Sequence, residues 1–179
     1  MVNATKTARE SGAVLWLTGL SGAGKTTIAH RVVAELERRD RAVELLDGDA
    51  LREVMPTGFS RQEREDHVRR VGFFASRLAH HGVVVVASLV SPYRASRDFV
   101  RGLCMPSFYE IHVATSLEEC ERRDVKGHYA RARRGDLPGF TGIDDPYEAP
   151  TKAELVLDTA VVPLDDAVGR VLRLVDTTC

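Results

Sequence analysis

Residues 19–26 read Gly-Leu-Ser-Gly-Ala-Gly-Lys-Thr, directly after the apolar run Val14-Leu15-Trp16-Leu17-Thr18 and directly before a helix-like stretch, Thr27 to Arg39. Strand, glycine-rich loop and helix in that order commit the chain to an α/β architecture built around a P-loop. Gly19, Gly22 and Gly24 let the backbone turn N–H groups inward around phosphate oxygens, and the helix N-terminus adds partial positive charge. The nucleotide-binding stretch is therefore Gly19, Leu20, Ser21, Gly22, Ala23, Gly24, Lys25, Thr26 and Thr27. Lys25 reaches the β- and γ-phosphates, and the Thr26 hydroxyl is placed to ligate Mg²⁺. The chain is expected to bind ATP or a similar triphosphate.

A length of 179 residues suits one α/β domain over residues 13–179, preceded by a flexible N-terminus, residues 1–12. With 25 basic and 26 acidic residues the formal net charge is −1, so no global field draws nucleic acid or an anionic membrane. The three cysteines, Cys104, Cys120 and Cys179, are odd in number and share no metal-ligand spacing, which suits a reducing cytoplasm. The longest apolar run, Val83 to Ala87, is too short to span a bilayer.

Apolar runs of strand length alternate with helical periodicity: Val14–Thr18, Ala42–Leu46, Val83–Ser88, Phe108–Val113 and Leu155–Asp158. This predicts a mainly parallel five-stranded sheet with helices on both faces, the three-layer P-loop NTPase fold. Ser60-x-x-Glu63 and Ser116-x-x-Glu119 have capping-box spacing, and the first opens a helix expected to run to His81, with Gly82 as its stop. Ligands of such a sheet lie beyond the carboxyl ends of its strands.

Asp47-Gly48-Asp49 follows the second strand, where an acceptor approaches the γ-phosphate. Asp47 can take a proton from an attacking hydroxyl, help hold Mg²⁺, or cap the next helix. Ser91-Pro92-Tyr93-Arg94 follows the third strand; Ser91 reads equally as a functional residue or as an N-cap with Pro92 in the first helical position. On the helix between them, Arg64 lies one turn from His67 and can present a guanidinium fork to phosphate or sulfate. Phe59, beside a glycine in a polar loop, is either packed or stacked on a base. The stretch from Arg122 through Lys126 and Arg131 to Gly135 reads as a dense basic helix. With the Gly/Pro-rich loop 136–150 it forms a candidate lid, about 122–150, that supplies charge and excludes water.

These motifs, taken with Asp124-Val125-Lys126-Gly127 and Phe140-Thr141-Gly142-Ile143-Asp144-Asp145-Pro146-Tyr147-Glu148, resemble adenylylsulfate (APS) kinase across residues 12 to 175. The resemblance implies transfer of the ATP γ-phosphate to the 3′-hydroxyl of adenosine 5′-phosphosulfate, giving 3′-phosphoadenosine 5′-phosphosulfate and ADP, with Mg²⁺. It places Phe59 and Phe140 on either side of the acceptor adenine. It puts Arg52, Arg64 and Lys126 on the acceptor, His67 at a position that contacts the acceptor nucleotide, and Asp47 near the 3′-hydroxyl. Asp49, beside Asp47, is a further acceptor candidate, and Arg122 and Arg131 of the basic segment are candidates for the ATP side. Ser91 matches a serine once proposed as a phosphoserine intermediate; positioning and charge favour direct in-line transfer instead. A homodimer, and functional coupling to an ATP sulfurylase on a separate chain, are further implications.

Three departures from the family pattern fall on the acceptor side: His67 where Asn is usual, a short linker Glu53-Val54-Met55-Pro56-Thr57, and Leu89 where Phe is common. An imidazole is bulkier than an amide and, at its ordinary value, charges near pH 6.5. Two alternatives follow: a paralogue that phosphorylates a ribose hydroxyl of another nucleotide anhydride, such as a cytidine diphosphate conjugate, and a non-catalytic ATP-binding accessory module.

Overall fold

The computed structural model describes residues 12–176. The expected flexible N-terminus therefore lies outside the described residues except for Gly12. Five strands, β1 (Ala13–Thr18), β2 (Val43–Asp47), β3 (Val84–Ser88), β4 (Phe108–Val113) and β5 (Leu155–Leu157), form one sheet in the order β2-β3-β1-β4-β5. All four pairings are parallel. β1 lies at the centre with every residue buried, which is why it reads as an unbroken apolar run.

Strand alternation divides β1 between two cores. Leu15 and Leu17 face α1 (Lys25–Arg38) and the C-terminal helix α7 (Leu164–Asp176), through Ile28, Val32, Val171 and Leu172. Val14 and Trp16 face α3 (Arg61–His80) and α4 (Arg94–Cys104), through Val68, Val71 and Val100. Gly72 of α3 approaches Val100 so closely that an added Cβ would lie 2.4 Å from its methyl, a contact that sets the spacing of the two helices. No helix among the described residues is long and apolar enough to cross a membrane.

Both helix starts marked by serine hold. Ser60 and Glu63 form a reciprocal capping box, and the Ser116 side chain accepts from Glu119 N at the head of α5 (Leu117–Arg123). Two local readings do not. The continuous basic helix breaks after Arg123: Asp124 takes φ 26° and Gly127 φ 65°, and a separate short helix, α6 (His128–Arg133), begins. Asp124 supplies the reason, because its two carboxylate oxygens accept from Tyr129 N and Ala130 N, each at 3.0 Å, and start a new helix. The N-cap reading of Ser91 also fails, since α4 is capped at Tyr93 and Ser91 sits at φ 39°.

The candidate lid divides in two. Residues 139–150 are fastened: Arg64 Nη2 donates to Gly139 O at 2.7 Å, Tyr93 Oη to Asp145 at 2.8 and 2.9 Å, and Glu148 N to Pro92 O at 2.8 Å. Within residues 122–138 only the turn stands out from the body, with Val125 81% exposed, while Arg123 on Thr159 and Tyr129 on Ser21 hold its two sides to the P-loop region.

Candidate active site

The P-loop leaves β1 and enters α1 through Gly24, which takes φ 98° at the N-cap position. A Cβ there would lie 3.1 Å from the Thr159 methyl, so both conformation and space call for glycine. Ser21, Gly22, Gly24, Lys25, Thr26 and Thr27 line one cleft of about 680 Å³. Gly19 and Leu20 turn their carbonyls to Lys25, whose ammonium donates to them at 3.0 and 2.8 Å, while Ala23 is buried beneath the loop. Burial pulls Lys25 down to about 8, against the opposing pull of nearby Cys120 and Asp49.

Asp47, at the carboxyl end of β2, does two things at once. Oδ1 caps α2 (Gly48–Val54), accepting from Asp49 N at 3.0 Å and Ala50 N at 3.3 Å. Oδ2 accepts from the Thr26 hydroxyl at 3.2 Å. One carboxylate thus caps α2 and meets the P-loop threonine at once. No group of three His, Cys, Asp or Glu capable of holding a metal occurs among the described residues. Two hard oxygens, Thr26 Oγ1 and Asp47 Oδ2, suit Mg²⁺, which keeps several waters and takes its other ligands from phosphate.

Across the cleft lie the residues expected for the acceptor: Asp49, Arg52, Phe59, Arg64, His67, Ser91, Lys126 and Phe140 all line it. Phe59 is 58% exposed and lies under two guanidinium groups, Arg52 at 4.7 Å and Arg64 at 5.4 Å from its centroid. Arg64 is buried and already engaged, with Nε on Phe59 O at 2.7 Å, Nη1 on Thr141 Oγ1 at 3.1 Å and Nη2 on Gly139 O. It ties α3 to the lid as well as facing the cleft. Lys126 pairs with Asp49. Burial works against that carboxylate, but the Lys126 ammonium wins and holds it below the usual range.

His67 is 2% exposed, and neither ring nitrogen has a partner at hydrogen-bond geometry among the described residues. Burial, with Arg52 and Arg70 nearby, pulls it down to about 4, offset slightly by the Gly48 backbone. The expectation that it charges near pH 6.5 is corrected: this imidazole is neutral through the physiological range. Ser91 is likewise buried, its Oγ accepting from Trp16 Nε1 at 3.1 Å and donating to Thr18 Oγ1 at 2.9 Å.

On the ATP side, Arg131 lines the cleft but Arg122 does not. Arg122 is held outward by Glu119, at 2.6 and 2.8 Å. Its neighbour Arg123 lines the cleft instead, donating to Thr159 Oγ1 at 2.8 Å and Gly22 O at 3.4 Å. Successive helical residues diverge by about 100°, so one of two adjacent arginines had to turn away, and only the phase of α5 decides which. His128 and Tyr129 were also passed over; both line the cleft and meet the Phe140 ring edge-on, at 5.9 and 5.0 Å. The run Gly-His-Tyr at a helix start was the available signal.

A family model described as adenylylsulphate kinase matches residues 11–158. The chain is 48% identical over 164 residues to an adenylyl-sulfate kinase of Picosynechococcus sp., covering 90% of this chain and 92% of the relative. It is 49% identical over 164 residues to that of Shewanella amazonensis, covering 90% and 83%. Among solved structures, the APS kinase of Mycobacterium tuberculosis in complex with AMPPNP and APS superposes with a TM-score of 0.89 at 36% identity, covering 93% of this chain and 99% of that one. A P-loop facing paired aromatics and arginines across one cleft, and relatives matched over nine-tenths of the chain, lead to the same conclusion: this chain belongs to the adenylylsulfate kinase family.

Proposed function

We propose that the cleft transfers the γ-phosphoryl group of ATP to the 3′-hydroxyl of adenosine 5′-phosphosulfate, releasing ADP and 3′-phosphoadenosine 5′-phosphosulfate. The observation that carries this reading is the opposition, in one cleft, of the Lys25–Thr26 phosphate site to Phe59 and Phe140, with Asp47 between strand end and loop. The family supports the use of ATP.

In this reading Lys25 leaves the Gly19 and Leu20 carbonyls for the β- and γ-phosphates, and Arg123 and Arg131 flank the nucleotide. The adenine of the acceptor stacks between Phe59 and Phe140, while Arg52, Arg64 and Lys126 hold its anionic groups. Asp47 Oδ2 faces the attacking 3′-hydroxyl and takes its proton as the O–P bond forms and the bond to the ADP oxygen breaks. Thr26 Oγ1, with Asp47, would hold Mg²⁺ when it is bound, and the ion would supply positive charge against the triphosphate. His67, neutral and unpartnered, offers the acceptor one donor and one acceptor, as an amide would. Ser91 has its oxygen committed to Trp16 and Thr18, which favours direct transfer over a phosphoserine relay.

We infer also a homodimer. The half-exposed Phe73, Phe74, Phe99 and Leu103 on α3 and α4 provide apolar surface for a second copy to cover, and sedimentation velocity tests it. Functional coupling to an ATP sulfurylase on a separate chain, which would supply the anhydride acceptor, is part of the same proposal. ADP release with Mg-ATP, comparing adenosine phosphosulfate with cytidine diphosphate conjugates and weighing the product by mass spectrometry, tests the reaction. Turnover on adenosine phosphosulfate is expected; turnover confined to a cytidine conjugate overturns the acceptor, and none on any acceptor leaves a binding module.

A further inference from the structure

Tyr129 is assigned no role in the reaction above, yet it touches both halves of the site. It is 3% exposed at the start of α6. Its hydroxyl donates to Ser21 O, a P-loop carbonyl, at 2.8 Å. Its ring and that of Phe140 form an edge-to-face pair, with centroids 5.0 Å apart and planes at 87°. Burial, with Cys120 beside the hydroxyl, pushes the phenol far above its ordinary value, so it stays a donor at every working pH. The backbone is pinned as well, because Asp124 holds Tyr129 N and Ala130 N.

A tyrosine ring has two rotatable torsions and, held at both ends, acts as a strut. Of the P-loop carbonyls, Gly19 O and Leu20 O accept from Lys25, and Ser21 O accepts from Tyr129. Any adjustment of the loop around a triphosphate moves that carbonyl, and the ring carries the displacement to Phe140. A second contact runs beside it: a Cβ on Gly142 would lie 3.0 Å from Leu20, so the chain two residues past Phe140 already rests on the loop.

We propose that Tyr129 is a positioning residue that couples occupancy of the P-loop to the placement of Phe140, so that bound nucleotide tightens the acceptor site. This rests on the assignment of Phe140 as the aromatic that stacks on the acceptor. Two sites coupled through one element each gain the same factor from the other's ligand, and conformational order is enough to carry it.

The test is the affinity of the full chain for adenosine phosphosulfate, measured by titration calorimetry with and without AMPPNP, in wild type, Tyr129→Phe and Phe140→Leu. Wild type is expected to bind the acceptor about 5-fold or more tightly with AMPPNP present. Tyr129→Phe keeps the ring on Phe140 and loses only the bond to Ser21. Its two acceptor affinities are expected to converge to within about 2-fold, with AMPPNP affinity almost unchanged. A merely structural role would lower both acceptor affinities and leave their ratio alone, which overturns the proposal. Phe140→Leu is expected to remove the ratio while the Ser21 bond remains, and if Tyr129→Phe does not fold, retention of the ratio in Phe140→Leu overturns the proposal by itself. Wild type that binds no adenosine phosphosulfate in either condition overturns the acceptor assignment first, and is distinguished from wild type that binds equally with and without AMPPNP, which overturns the coupling alone.

Discussion

Thr26 Oγ1 donates to Asp47 Oδ2 across 3.2 Å, joining the first turn of α1 to the end of β2, while Oδ1 of the same carboxylate caps α2. The two functions separate on substitution. Asparagine caps helices as well as aspartate does, so Asp47→Asn is expected to change stability by less than about 1 kcal/mol. It removes the negative charge and the proton acceptor, and kcat is expected to fall by about 10²–10⁴ with ATP affinity nearly kept. Near-normal turnover would remove Asp47 from the chemistry and leave it a cap.

Ser91 divides a relay mechanism from direct transfer. In Ser91→Ala the Trp16 N–H loses its acceptor inside the core, which costs about 1–3 kcal/mol and appears as a lower Tm. Because that oxygen is not placed in the transfer, kcat is expected to stay within about tenfold of wild type. A folded variant with no activity at all would count against direct transfer.

Arg97 and Glu110 form an ion pair at 2.7 Å with side chains 1% and 7% exposed. The Arg97 fork also donates to Ser91 O at 2.7 Å and Glu148 O at 2.6 Å, locking the loop after β3 to the end of the lid. Arg97→Met leaves a buried carboxylate with Arg101, at 3.3 Å, as its one remaining cation among the described residues, and is expected to destabilise by about 3–5 kcal/mol in urea unfolding. Arg97→Lys should rescue little, since an ammonium cannot span three acceptors in one plane. A loss below 1 kcal/mol would show the pair to be solvated.

How far the chain could be read depended on the range of the forces. The strands were legible to within a residue at each end, most plainly β1 and β3, where burial on both faces of a parallel sheet leaves an unbroken apolar run. The P-loop and both serine caps were legible because their hydrogen bonds close within a few residues. Phe59 stood out as an aromatic in a polar loop, whereas Phe140 came only from the resemblance to the family, and it packs against the core below the P-loop. What escaped was set by distant partners. Ser91 looked like a cap because Pro92 follows it, whereas Trp16 and Thr18, more than 70 residues earlier, decide its geometry. The break at Asp124 was hidden by an even basic composition, and His67 was given an ordinary titration because its burial was not visible in the sequence.

That burial makes His67 the clearest pH probe in the chain. Folded, the imidazole titrates at about 4; unfolded, near 6.5. Between these values the unfolded chain binds the extra proton, so stability is full above pH 6.5 and falls as the pH drops toward 4, by up to roughly 3 kcal/mol from this group. Arg52 and Arg70 are the charges that hold it down, and neither changes state in that range. His67→Asn, which has no titration, is expected to remain measurably more stable than wild type at pH 4.5 relative to their difference at pH 7.5. With the ring neutral in both cases, the KM for the acceptor attributable to this residue should be level from pH 6 to 8. A KM that steps near pH 6.5 in wild type and is flat in His67→Asn would mean that the ring is solvated and charged in the working enzyme, contrary to the geometry of α3.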